Sequence, residues 1–263
     1  MSELRKRVMI AVLFLPPLLW ILFHGGIPLV ALFGFLTIFG SYEYITMMNH
    51  AKIAVSYNWI VLQALVFAGF VFSQGYDIVI LVFSLLFIST TALVRWEQNK
   101  SLTSMFAVVF GLIYTAVFPA LMVKISLVYH AQKILLALIL MIWIVDSVAY
   151  FVGMKYGKHR NVIKVSPQKS LEGFVAGCLA PLFIVVIYYF VGYRPLSMIN
   201  LALVAVAAGI VGQVGDLVES MLKRFCNVKD SSNIIPGHGG ILDRMDSALL
   251  SGAFLYCALV LIN

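Results

Sequence analysis

His130-Ala-Gln-Lys133-Ile-Leu-Leu-Ala-Leu-Ile-Leu-Met-Ile-Trp-Ile-Val-Asp146-Ser-Val-Ala-Tyr150-Phe-Val152 carries one charged side chain beyond Lys133, the carboxylate of Asp146. A hydrocarbon core about 30 Å thick is crossed by roughly 20 apolar residues of helix, so residues 130–152 read as a membrane span with an acid inside it. Eight further apolar runs lie between polar breaks, at 8–24, 27–47, 56–73, 76–94, 103–123, 172–192, 197–218 and 246–262. The breaks have turn chemistry: His24-Gly25-Gly26, Asn49-His50, Ser73-Gln74-Gly75, Glu97-Gln98-Asn99 and Gly192-Tyr193-Arg194-Pro195. Two longer polar segments lie at 153–171 and 219–245.

The composition points the same way. Of 263 residues, 62% are hydrophobic and 11% charged, against roughly 45 to 50% and about 25% in a soluble domain. Mean hydropathy is +1.02. A soluble fold is excluded. The expected fold class is an all-α, polytopic integral membrane helical bundle of about nine transmembrane helices. About five spans fall in residues 1–125, and the others, with the two long loops, in 126–263. The three cysteines, Cys178, Cys226 and Cys257, are odd in number and scattered, which implies neither a disulfide framework nor a zinc site. Arg5-Lys6-Arg7 ahead of Val8 to Phe23 has the outline of a signal peptide. No small-residue cleavage site follows it and the rest of the chain is equally apolar, so an uncleaved first span is expected.

Nine spans put the termini on opposite sides of the bilayer, and the basic residues give the orientation. With the N-terminus inside, the inner segments hold Arg5, Lys6, Arg7, Lys52, Arg95, Lys100, Lys155, Lys158, Arg160, Lys164, Lys169, Lys223, Arg224, Lys229 and Arg244. The outer ones hold Lys124, Lys133 and Arg194, so 15 of 18 fall on one face. One helix more or fewer early in the chain scrambles that partition, so the expected cytosolic N-terminus and the helix list support each other. Topology and attraction to anionic head groups account for Arg5 to Arg7 and for Lys52. In the two long loops, however, the cations are interleaved with carboxylates, glycines and a histidine. Positive side chains beside metal-binding acids suit a polyphosphate substrate.

Among only 11 acids, Asp146, Asp216, Glu219, Asp243 and Asp246 fall within or at the inner ends of the sixth, eighth and ninth runs. A carboxylate near a bilayer centre costs roughly 2.5 to 3.5 kcal/mol, so such acids face a polar cavity and mark function, unless a hydroxyl or lysine within the bundle satisfies them. Asp216, Glu219 and Ser220 share one helical face by their three- and four-residue spacing. Asp243 and Asp246 repeat the three-residue spacing where the ninth helix begins. Two carboxylate pairs from different helices can converge on a hard divalent cation, and magnesium typically takes one or two carboxylates together with water and substrate phosphates. This pattern reads as metal-assisted phosphoryl or nucleotidyl transfer.

Pro236-Gly237-His238-Gly239-Gly240 is either a tight turn or a loop whose backbone N–H groups approach phosphate oxygens. Ser166-Pro167-Gln168-Lys169 has the form of a helix start, with Ser166 as N-cap, Pro167 at the first helical position and Lys169 in the first turn. A lysine at that positive end is favourable only beside an anion, or by snorkelling. Gly209, Gly212 and Gly215 follow no strand, so close helix packing is their expected role. There is no Walker A sequence.

The stretch Ser220-Met-Leu-Lys223-Arg224-Phe-Cys-Asn-Val-Lys229-Asp230-Ser-Ser-Asn-Ile-Ile-Pro236-Gly237-His238-Gly239-Gly240-Ile-Leu-Asp243-Arg244-Met-Asp246-Ser247 resembles the signature of the phosphatidate cytidylyltransferase, or CDP-diacylglycerol synthase, family. Gly215 to Ser220, Trp143 to Tyr150 and Ser166 to Gly173 also resemble that family. The likeness covers the C-terminal half from about residue 140, whereas the first five helices share only apolarity and number. It implies an integral membrane enzyme that converts CTP and phosphatidic acid to CDP-diacylglycerol and pyrophosphate with magnesium, one ion or two. The implied catalytic acids are Asp146, Asp216, Glu219, Asp243 and Asp246, with Asp216, Asp243 and Asp246 as metal ligands. Ser166, Lys169, Glu172, Lys223, Arg224, Lys229, His238 and Arg244 are the implied substrate-binding residues.

The nearest rival is a CTP-dependent polyprenol or phytol kinase, which phosphorylates an alcohol. A CDP-alcohol phosphotransferase is disfavoured because its Asp-Gly-x-x-Ala-Arg pattern is absent. A cation transporter predicts acids spread through the bilayer depth, whereas these gather at the inner side. The expected partners are CTP, phosphatidic acid and the lipid bilayer, with no nucleic acid; a homodimer is a family-based expectation. Short length and the lack of a targeting extension point to a bacterial inner membrane, with the active site on the cytosolic side.

Overall fold

The computed structural model describes residues 3–191, 196–234 and 239–262, with side chains from residue 12 onward. Among these, the regular structure is helical and no strand is present: α1 (Glu3–His24), α2 (Gly26–His50), α3 (Trp59–Phe72), α4 (Asp77–Val94), α5 (Ser101–Val128), α6 (Ile134–Tyr156), α7 (Leu171–Val191), α8 (Met198–Phe225) and α9 (Asp246–Ile262). Short 3-10 turns lie at His130–Gln132 and Leu242–Arg244. The helices α2, α4, α5, α6, α7 and α8 are long and apolar enough to cross a membrane, and Val12–His24, α3 and α9 are shorter apolar helices. Each expected span has its helix, and the protein is an all-α, polytopic integral membrane protein.

Two boundaries differ from the sequence reading. The seventh helix begins at Leu171, not beside Ser166. Ser170 rather than Ser166 makes the cap, its hydroxyl accepting from Gly173 N–H at 3.1 Å. Residues 163–169 instead form turns, with Ser166 N–H donating to Ile163 O and Lys169 N–H to Ser166 O. The eighth helix continues through Phe225, so Glu219 is helical as its spacing implied, and Lys223 and Arg224 are helical residues rather than loop residues. Both of the 28-residue helices, α5 and α8, contain a π-turn, at Ile113–Val117 and Ala207–Val211.

The chain divides into two compact units, one comprising Met1–Lys124 with Lys223–Arg244 and the other Ile125–Leu222 with Met245–Asn263. In the first, two polar side chains of α2 are satisfied from α5: Tyr44 donates to Ala107 O at 2.8 Å and Ser41 pairs with Thr115 at 2.9 Å. Lys124 and Asp77 form a 2.5 Å ion pair. In the second unit, small residues let helices touch, as is usual where lipid offers no hydrophobic drive to association. A Cβ on Gly173 of α7 would lie 2.6 Å from Ala149 O and 3.1 Å from the Cα of Gly153, both on α6. Gly209 would strike Pro181 and Cys178 O in the same way, so the glycines of α8 have the packing role expected of them.

Candidate active site

Close approach of α6 and α7, with α8 beside them, leaves a cavity of about 550 Å³ in the second unit. That volume lies within the range of ordinary ligand sites. Asp146, near the polar end of the α6 apolar run, lines it, as do Asp216 of α8 and, from the 157–170 loop, Arg160, Ser166, Gln168, Lys169 and Ser170. The cavity thus joins carboxylates to cations. Lys169 makes an ion pair with Asp216. The Ser220 hydroxyl stands 3.5 Å from the other oxygen of Asp216, as expected of residues four apart on one face. Arg160 is held between α6 and its own loop, donating to Gly153 O at 3.1 Å and Gln168 O at 3.4 Å.

Asp246 opens α9 and accepts from Ser247 N–H at 2.6 Å. It lies near enough to Asp146 to repel it, while Lys169 attracts the same carboxylate. The approach of α8 to the start of α9 depends on Gly215, where a Cβ would stand 2.7 Å from Asp246 O. Gly215→Ala is therefore expected to destabilise the protein by about 1 to 3 kcal/mol, the usual cost of overpacking. The check is the thermal midpoint in detergent; an unchanged midpoint would show that α9 yields without cost.

In the first unit, Asp243 sits in the 3-10 turn Leu242–Arg244 and is almost fully enclosed. Lys223 donates to its Oδ1 at 2.6 Å. Its Oδ2 accepts from Gly240 N–H at 2.8 Å and Ser231 N–H at 2.9 Å, with the Ser231 hydroxyl at 3.0 Å. Burial pushes this carboxyl up, but the lysine and the two amides outweigh burial and hold it below the usual carboxylate range. Gly239 adopts φ of 81°, which a side chain would strain, and so turns Gly240 N–H onto the protein's own carboxylate.

The other expected site residues fall as follows. Glu219 is completely buried. Glu172 fastens the loop before α7, accepting from His159 N–H at 3.1 Å and pairing with the His159 ring at 2.6 Å. Arg224 donates to Val228 O at 3.2 Å and, like Lys229 and Arg244, is exposed. His238, with Pro236 and Gly237, lies outside the described residues. Sequence reasoning missed Arg160 and Gln213 in the cavity lining and Ser231 beside Asp243. It also missed Glu43, which is wholly buried in α2. A lone acid within the 27–47 apolar run is the signal that identified Asp146, and it applies equally to Glu43.

Among the described residues no three His, Cys, Asp or Glu side chains are placed to enclose a metal ion. A magnesium ion needs no such triple, because water and substrate phosphate complete its octahedron. The cavity offers carboxylate oxygens and neither thiol nor imidazole, a donor set that suits magnesium.

The chain matches the cytidylyltransferase family over residues 5–262. It is 48% identical over 122 residues to a phosphatidate cytidylyltransferase of Bacillus subtilis, a stretch covering 46% of this chain and 45% of that protein. A phosphatidate cytidylyltransferase of Staphylococcus haemolyticus is 47% identical over 109 residues, 41% of this chain and 42% of its own. That of Haemophilus influenzae is 42% identical over 123 residues, 45% and 43% respectively. The chain thus spans less than half the length of the curated relatives it matches. Because the family match runs nearly from end to end, the chain belongs to the cytidylyltransferase family.

Proposed function

We propose that this protein is a phosphatidate cytidylyltransferase, transferring CMP from CTP to phosphatidic acid with release of pyrophosphate and formation of CDP-diacylglycerol. The observation that carries this reading is the cavity in which Asp146 and Asp216 meet Lys169, Arg160 and Ser166. Family membership supports the cytidylyl chemistry, and the names of the relatives support the lipid phosphate as acceptor.

A phosphate oxygen of phosphatidate attacks the α-phosphorus of CTP, and pyrophosphate leaves. The attacking group is already anionic near neutral pH, so the protein needs no strong general base. Positioning and neutralisation of charge supply most of the catalysis, as in phosphoryl transfer generally. Lys169 and Arg160 neutralise phosphate oxygens at the cavity, and Ser166 orients them. Asp216 and Asp246 are the proposed magnesium ligands; Asp243, expected as a third, has both oxygens taken by Lys223, Gly240 and Ser231 and stands as a further proposed catalytic acid. Bound magnesium supplies Lewis-acid stabilisation of the charge that builds on the phosphates. Asp146 and Glu219 support the ligands. Lys223, Arg224, Lys229, His238 and Arg244 complete the proposed phosphate-binding set, and Glu172 holds the loop carrying Lys169. The site belongs on the cytosolic face of a bacterial inner membrane, where CTP and the lipid head group meet, in a homodimer.

The test is an assay of purified protein in detergent with CTP, magnesium and phosphatidic acid, beside a polyprenol control. Pyrophosphate release with a lipid-linked cytidylate, dependent on phosphatidate, is the expected result. CTP consumption with polyprenol alone would replace the reading with a lipid kinase. Silence with every acceptor would remove the enzyme reading, and nucleotide-independent flux of divalent ions into proteoliposomes would then favour transport.

A further inference from the structure

Glu43 is a fully buried acid that the proposed mechanism does not use. Its Oε1 accepts from Ile241 N–H at 2.9 Å and the Ser232 hydroxyl at 2.5 Å. Its Oε2 accepts from Leu242 N–H at 2.9 Å and faces the Ser231 hydroxyl at 3.1 Å. Both amides belong to the start of the short turn that carries Asp243. The Ser231 oxygen also stands 3.0 Å from Asp243 Oδ2, so a single hydroxyl proton links two carboxylates and serves one at a time. The knot has no spare room: a Cβ on Gly240 would collide with Ser231 Oγ and lie 2.7 and 2.8 Å from the Glu43 oxygens. A buried carboxylate is costly unless most of its lone pairs are used. Here α2 holds one whose donors all come from a segment about two hundred residues later.

We infer that Glu43 is a positioning residue for the transfer reaction, clamping Ser231 and Ser232 to Ile241 and Leu242 so that the turn presents Asp243 in a fixed direction. It touches no substrate in this role. The kinetic part of the inference rests on the proposed cytidylyl transfer; the clamp itself does not. Glutamine in its place has the same shape but one acceptor oxygen, and it turns an NH2 group towards donors that need an acceptor. Aspartate keeps both oxygens on a shorter stem.

The experiment compares wild type, Glu43→Gln and Glu43→Asp, as full-length protein in detergent, by hydrogen exchange and by steady-state kinetics. In Glu43→Gln, exchange at the Ile241 and Leu242 amides is expected to rise about tenfold or more, with exchange in α6 to α9 unchanged. The kcat should fall by about 10- to 100-fold while KM for CTP stays within about twofold, the pattern of a misplaced group rather than a lost contact. Glu43→Asp should recover a large part of both losses. Unchanged kcat despite faster exchange, a rise in KM alone, or loosening spread over all helices would overturn the inference. If Glu43→Gln does not fold, Ser232→Ala removes one donor without altering charge; unchanged exchange at Ile241 and Leu242 together with unchanged kcat in that variant would overturn it too. Exchange is read without substrate, so a wild-type protein that transfers no cytidylate would defeat the proposed reaction while exchange still decides whether the clamp exists.

Discussion

Asp246→Asn is expected to lower phosphatidate-dependent pyrophosphate release by about a thousandfold, the loss that corresponds to about 4 kcal/mol of metal-assisted charge stabilisation. The substitution is well suited to its purpose. Asparagine retains an acceptor for Ser247 N–H, which donates to Asp246 Oδ1 at 2.6 Å, so the start of α9 keeps its bond. Removing the charge also relieves the repulsion of Asp146. The start of α9 should therefore stay in place while turnover collapses. The check is product formation together with the thermal midpoint of the purified variant. Turnover within a few-fold of wild type would remove Asp246 from the proposed metal ligands, whereas collapse of both readouts would make the residue structural.

Lys223→Met is expected to cost about 3 to 5 kcal/mol of stability, the range for leaving one partner of a buried ion pair unmatched. The side chains of Lys223 and Asp243 are 11% and 6% exposed, so water screens little of their attraction. Methionine preserves the stem and removes the ammonium. The pH dependence carries the sign. In wild type the Asp243 carboxyl lies below its ordinary value, so its contribution is complete above the unfolded pKa of about 3.9 and disappears as pH falls through the lower folded value. Without the lysine only the two amides oppose burial, so that carboxyl rises from its wild-type value, and acid neutralises the unmatched charge. The gap between variant and wild type should thus be widest at neutral pH and close on acidification. Denaturation in detergent across that range is the measurement, and a gap independent of pH would assign the loss to packing rather than charge.

The helices were legible because a bilayer demands long apolar runs, and each run in the chain has a helix. Helix ends were less legible. Lys223 and Arg224 are polar and look like loop, yet α8 carries them because a helix leaving the hydrocarbon can continue in water. Ser166 and Pro167 have the composition of a helix start, but Ser170 caps α7 with Gly173 N–H. Two serines so near each other are distinguished by tertiary placement and not by propensity. The cavity acids Asp146 and Asp216 stood out by their spacing and their cost in an apolar run. Glu43 carries the same cost, but its donors come from 231–242. Nothing near it in sequence indicates that partnership.

The length of α8 makes it a ruler. Its 28 residues rise about 42 Å at 1.5 Å each, whereas the hydrocarbon layer is about 30 Å deep. Counted from Ser197, which caps the first turn, Asp216 comes about 28 Å along the axis. The apolar portion of the helix thus matches the depth of the oily layer, and its first carboxylate comes near the end of that length. A thicker bilayer would draw that carboxylate inward and a thinner one would push it out, each at a fraction of a kcal/mol per Å. Membrane thickness is thereby coupled to the depth at which this carboxylate sits.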